Sequence, residues 1–141
     1  MNKNVLVALA DKNYINQAKQ LFSSAYWNAG WRGDYLLLGY EMDRKDYEWF
    51  RQKGIIVRRC ESLLDNNAKR GDRITASKCY LFSEEFKQWD HVVYFDVDIL
   101  IRAPIDRLAE VDGFAACHSM WQTLKDNFID IQLIDSDLVN E

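Results

Sequence analysis

Two aspartates, Asp96 and Asp98, stand one residue apart inside an apolar run, VVYFDVDILI. The spacing alone carries no information. With 15 aspartates in 141 residues chance supplies one or two Asp-x-Asp pairs, and a second pair, Asp135/Asp137, lies in a polar tail. The setting separates the two. Taking an uncompensated carboxylate out of water is costly, and two carboxylates packed together repel. A positive group is therefore expected to face Asp96 and Asp98. A hard divalent cation fits best, because Mn²⁺ or Mg²⁺ takes carboxylate oxygens and bridges to phosphates. In an extended stretch residues two apart point the same way, so both carboxylates can reach one ion. The plainer alternative is a pair of turn or capping carboxylates at a strand end.

The segments that must position this pair alternate between strand-like and helix-like. Residues 5–10 (VLVALA) form an apolar run without alternation, as a strand buried on both faces requires. Asp11 and Asn13 follow as candidate helix caps, and Ile15, Ala18, Leu21 or Phe22, and Ala25 or Tyr26 recur at helical spacing. Gly30 and Gly33 are plausible stops for that helix. Residues 35–38 (YLLL) predict a second strand, Asp43 to about Lys53 a helix, and residues 55–57 (IIV) a third strand. Residues 66–73 (NNAKRGDR) are expected to form a polar loop, and 75–86 a helix with Ala76 and Phe86 on its inner side. Residues 92–95 (VVYF) predict a fourth strand, Asp106 to Leu108 a single helical turn, and residues 113–117 (GFAAC) a fifth strand.

Strands separated by helices imply a single α/β domain over residues 1–141, with a mainly parallel sheet and helices on both faces. Ligands of such sheets bind beyond the carboxyl ends of the strands. That rule points to two places: residues 9–14 after the first strand and 96–98 after the fourth.

Composition narrows the partners. Lys plus Arg number 18 and Asp plus Glu 22, a net charge of −4, so no nucleic-acid binder is expected. With 13% aromatic residues the chain is not intrinsically disordered. No apolar run approaches a transmembrane length, and the opening MNKNVLVALADKNY is a poor leader, so a cytoplasmic location is expected. Cys60, Cys79 and Cys117 have neither zinc-ligand spacing nor an even count, and are read as reduced thiols. His91 and His118 are read as ordinary histidines.

The stretch FKQWDHVVYFDVDILIRAPIDRL resembles the signature segment of glycosyltransferase family 8, the glycogenin-like and lipopolysaccharide-galactosyltransferase-like enzymes of the GT-A fold. The opening VALADKNYINQAKQLFSSAY is similar to that family's first strand and nucleotide loop, and TASKCYLF to its Thr-Lys-aromatic helix. The resemblance spans about residues 4–117 and implies the Rossmann-like nucleotide-binding half of a GT-A enzyme. It implies that Asp96 and Asp98 hold Mn²⁺ or Mg²⁺ on the diphosphate of a nucleotide-sugar, typically UDP-linked, and that Asp96 also meets the ribose or sugar. It implies that the backbone of Ala8, Leu9 and Ala10 lines the base pocket and that Tyr14 stacks on the uracil. Lys78 would act as the lysine at the phosphates and donor sugar, with Arg73 and Arg70 as looser candidates for the same anionic region. The implied reaction is hexosyl transfer with retention of configuration, to an acceptor the sequence does not identify.

Family members are longer. Beyond the match they carry an Asn-Ser/Ala-Gly stretch, an acidic-Gln motif and a late His-x-x-Gly-x-x-Lys segment, which this sequence lacks. The expectation is therefore a donor-binding portion, C-terminally truncated relative to the family, whose uncovered sheet edge is met by self-association or by an altered C-terminal segment that covers it. The alternative function is a nucleotide-sugar-binding domain without turnover. A haloacid-dehalogenase-like phosphatase is disfavoured because Ile99-Leu100 follows the pair where Gly-Thr is expected. A Rossmann dehydrogenase is disfavoured because no Gly-x-Gly-x-x-Gly follows the first strand.

Overall fold

The computed structural model describes residues 3–116. Residues up to Val111 form one compact unit. Its centre is a four-stranded, all-parallel sheet of β1 (Asn4–Asp11), β2 (Asp34–Tyr40), β3 (Ile56–Cys60) and β4 (His91–Tyr94), in the order β3-β2-β1-β4.

The apolar run of β1 divides by the period-two rule of a strand. Leu6, Ala8 and Ala10 join a core layer with Leu37 of β2 and with Ala18, Leu21 and Phe22 of helix α1 (Ile15–Ser24). Phe50 of helix α2 (Glu48–Gln52) completes that layer. Val5, Val7 and Leu9 point the other way, against Leu36, Leu38 and Tyr40 of β2 and against Phe86 and Trp89. Both faces of the sheet are thus covered by helical segments, as the alternation in the sequence requires.

The second face is covered differently from the expectation. Residues 66–73 are not all loop, because helix α3 begins at Arg70 and runs to Ala76. The segment expected as one helix over 75–86 breaks into two 3₁₀ stretches, Ser77–Phe82 and Glu84–Gln88. Ser83 between them is extended, at φ −73° and ψ 160°. The break lets Tyr80, Phe86 and Trp89 pack ring against ring, with centroids 6.1 and 5.5 Å apart. The Tyr80 hydroxyl donates to Glu85 at 2.9 Å, and Glu85 also pairs with Arg58 of β3.

Two other expectations change. Asp11 and Asn13 do not cap α1, which starts after Tyr14 without a side-chain cap. Residues 113–116 carry no strand, and Cys117 lies outside the described residues, as does the acidic tail. The turn expected at Asp106 is a 3₁₀ segment, Asp106–Glu110. Among the described residues no helix is long and apolar enough to cross a membrane.

Candidate functional site

Because all four strands are parallel, Asp11, Tyr40, Cys60 and Tyr94 end at one edge of the sheet. Segment 70–78 crosses that edge and ties it together at two points, Arg70 and Lys78.

At the end of β4, the Lys78 ammonium donates to Asp96 Oδ1 at 2.7 Å, and the Tyr94 hydroxyl donates to the same oxygen at 2.8 Å. Lys78 also lies 5.3 Å from the centre of the Tyr94 ring. Partial burial pushes the Asp96 carboxyl up, but the Lys78 and Tyr94 hydrogen bonds and the Lys78 charge outweigh it. Asp96 therefore titrates below the ordinary aspartate range. The Tyr94 phenol is driven far upward, first by burial, then by its bond to Asp96 and by the charges of Asp96 and Asp98. Both carboxylates thus act electrostatically on one phenol, and the positive group that faces Asp96 is the Lys78 ammonium.

The local geometry differs from the extended stretch expected there. The sheet ladder ends where Phe95 N–H donates to Val7 O at 3.0 Å. The chain then turns, with Ile99 N–H on Asp96 O at 3.2 Å. Asp96 and Asp98 stand exposed on this turn rather than inside a buried run. Among the described residues no group of three or more His, Cys, Asp or Glu side chains is gathered as a metal cage.

At the end of β1 a second constellation forms. Asp11 is buried, at 1% exposure. Its Oδ1 accepts the Asn13 N–H at 2.8 Å, and its Oδ2 meets Arg70 Nη1 at 2.6 Å. Arg70 Nη2 reaches Glu41 at 3.2 Å. Glu41 adopts φ 48°, in the left-handed region where a non-glycine residue is strained. Glu41 lies one residue beyond β2, at the same sheet end as Asp11. The Arg70 guanidinium is held charged more firmly than usual, chiefly by its hydrogen bond to Asp11.

The remaining expected residues are distributed along this edge. Ala8, Leu9 and Ala10 are buried, their side chains in the two core layers. They extend past the last β1–β4 ladder bond, at Val7. Tyr14 precedes α1 and is 48% exposed. Arg73 is half buried and bonds Asn66 at 3.1 Å, while its Nε is buried without a partner. It lines a cavity of about 250 Å³ at the ends of β2 and β3 with Tyr40, Glu41 and Arg59. Arg73 is therefore grouped with β2 and β3, whereas Lys78 is grouped with β4.

Sequence reasoning missed Asp11 as a charged partner and Tyr94 as a donor to Asp96. The signal for Asp11 was present, since it ends an apolar run just as Asp96 does. Cys60 is buried, its thiol pushed up to about 11 by that burial, and Cys79 is exposed; neither is in a disulfide. No protein-family model matches this chain, and no curated protein matches it significantly.

Proposed function

We propose that this chain binds a nucleotide-sugar, with a UDP-sugar as the expected donor, and serves as the donor half of a metal-dependent glycosyltransferase that retains configuration. The observation that carries the reading is the Lys78–Asp96 contact at the carboxyl edge of a parallel sheet, with Asp98 beside it. Parallel α/β sheets bind ligands at that edge, and the resemblance of the surrounding segment to family 8 enzymes supplies the donor class.

The donor set fits Mn²⁺ or Mg²⁺. One oxygen of Asp96 is engaged by Lys78 and Tyr94, which leaves its second oxygen and the Asp98 carboxylate to meet a cation. Such ions are commonly held by one or two carboxylates, waters and substrate phosphates. When bound, the ion supplies positive charge against the donor diphosphate. Lys78 brings a further positive charge to the same edge, where a leaving diphosphate accumulates negative charge. Tyr94 holds Asp96 in place through its hydroxyl and so positions the carboxylate. The exposed Tyr14 ring offers a stacking platform for a base. The Lys78–Asp96 pair also fits a second reading, a nucleotide-sugar-binding domain without turnover, in which the lysine stays on its carboxylate.

Calorimetry with UDP in Mn²⁺, in Mg²⁺ and in EDTA tests the proposal. UDP is expected to bind only with metal, and Asp98→Asn is expected to abolish that binding. Equal affinity in EDTA would remove the metal role, and absence of UDP binding in every condition would remove the donor reading. Release of sugar from a UDP-sugar panel separates the transferase from the binding domain.

A further inference from the structure

The opposite edge of the sheet carries a larger cavity, of about 630 Å³, which the donor reading does not use. Tyr35 stands near the start of β2 and Ile55 just before β3, so this cavity lies at the amino ends of the strands. β2 alone, with 7 residues, separates the two edges by roughly 20 Å.

The wall is aromatic. Phe22, Tyr26, Trp27, Tyr35 and Trp49 line it. Tyr26 and Trp27 are 59% and 78% exposed, and their rings meet edge to face at 4.8 Å. They are held outward by a π-helical turn, Ala25–Ala29, that continues α1 and ends at Gly30 in the left-handed conformation. That turn is itself fastened. The Ser24 hydroxyl accepts Ile101 N–H at 3.0 Å, and the Asn28 amide donates to Ile101 O at 2.7 Å. A fixed backbone thus presents a nearly bare indole to water, and π-turns of this kind recur at functional sites.

The polar groups of the wall narrow the ligand. Ser23, Gln52 and Lys53 supply hydroxyl, amide and ammonium groups, and among the described residues no carboxylate lines the cavity. A cationic ligand is disfavoured, because Lys19 and Lys53 already lie 5.4 and 6.0 Å from the centre of the Trp49 ring. The Gln52 Nε2 donates to Glu48 at 3.2 Å, which leaves the Gln52 amide oxygen and the Lys53 ammonium, both exposed at the rim, as groups that a polar ligand can engage and a purely apolar one cannot. A pyranose satisfies both sets. Its C–H face lies flat on an aromatic ring, and its rim of hydroxyls meets side-chain donors and acceptors.

We propose that this cavity binds pyranose units of a glycan, with Trp27 as the stacking platform and Gln52 and Lys53 as hydrogen-bonding partners. A volume of 630 Å³ is within the range of ligand pockets. The distance from the donor edge makes it an anchoring site for an extended saccharide, separate from the reacting sugar. The inference stands on this cavity alone and does not depend on the donor reading.

The test is titration of the full chain with maltohexaose, cellohexaose, chitohexaose, mannohexaose and an oligogalacturonate, without nucleotide or metal. The Trp27 indole N–H resonance is the readout, and cyclohexanol and phosphocholine serve as non-saccharide probes. At least one saccharide is expected to shift that resonance at millimolar concentration. Followed by calorimetry, its affinity is expected to fall about tenfold or more in Trp27→Ala and to weaken in Gln52→Ala, with each variant's melting temperature confirming that it folds. If no saccharide shifts the resonance, or if only cyclohexanol or phosphocholine does, the proposal is overturned. Saccharide binding that survives Trp27→Ala undiminished overturns it as well.

Discussion

Arg70 meets the buried carboxylate of Asp11 at 2.6 Å across 59 positions of sequence. The pair joins the first strand to the helix that crosses the sheet edge. Asp11 is 1% exposed and the Arg70 side chain 39%, so one partner depends on the other far more than the reverse. Removing the guanidinium leaves a buried charge held only by Asn13, through its backbone N–H at 2.8 Å and its side-chain amide at 3.4 Å. Arg70→Met is expected to lower stability by about 2 kcal/mol in urea unfolding, a value kept moderate because water reaches the arginine. In an Asp11→Asn background the same substitution should cost clearly less. Equal costs in both backgrounds would show that the pair is not coupled.

The depressed titration of Asp96 gives an acid-side prediction. A carboxyl that holds its proton less tightly when folded stabilises the fold at pH above its unfolded value, and that contribution is lost as pH falls through the folded value. The Lys78 bond and the Tyr94 bond both work in this direction. Lys78→Met is expected to move the Asp96 titration upward in a carboxyl-resolved NMR series, and Tyr94→Phe to move it in the same direction. An unmoved Asp96 curve in Lys78→Met would show that the contact does not persist in solution.

On the alkaline side the sign reverses. Burial, with a smaller contribution from Tyr26, pushes Tyr35 up to about 12, and Tyr94 is also raised. The unfolded chain ionises these phenols near their ordinary value of 10.0, whereas the folded chain keeps them neutral. The Tyr35 contribution is complete below pH 10 and is lost as pH rises towards 12, while that of Tyr94 continues to be lost above that range. Ultraviolet titration should therefore show part of the tyrosine absorbance change only when the chain unfolds. Tyr35→Phe is expected to reduce that late fraction, and a smooth titration of all tyrosines near pH 10 would contradict the assignment.

Gly39 is set by a close approach. The Tyr47 ring packs directly on its backbone and the Tyr47 hydroxyl donates to Gly39 O at 3.3 Å, so a methyl group at Gly39 would overlap the ring. Gly39→Ala is expected to cost roughly 1–3 kcal/mol in thermal or urea unfolding. In a Tyr47→Ala background the added methyl should cost much less, because the overlapping ring is gone. A cost unchanged by that background would place the strain elsewhere.

Much of the architecture was legible in one dimension. The short apolar run without alternation, VLVALA, suggested a strand covered on both sides, and the two core layers show its side chains divided between the faces. The helical spacing from Ile15 to Ala25 likewise matches a helix whose inner side holds Ala18, Leu21 and Phe22. The second face was less legible, because a chain rich in Tyr, Phe and Trp reads as a continuous helix until ring packing selects 3₁₀ turns and a break at Ser83.

The candidate site divides in the same way. The sequence alone determined that carboxylates fall at strand ends, since hydrophobic runs and the charges that interrupt them are properties of neighbours along the chain. The apolar neighbours of Asp96 suggested a buried carboxylate compensated by a divalent cation, whereas the folded chain sets Asp96 at the surface on a lysine. Tertiary structure decided the partners. Lys78 and Tyr94 for Asp96, and Arg70 for Asp11, are brought together by parallel strand pairing and by the path of residues 70–78. It decided also that Asp96 and Asp98 stand on an exposed turn, since the β4 ladder ends at Phe95. Such contacts depend on which strand ends share an edge of the sheet, and spacing along the chain does not encode that proximity.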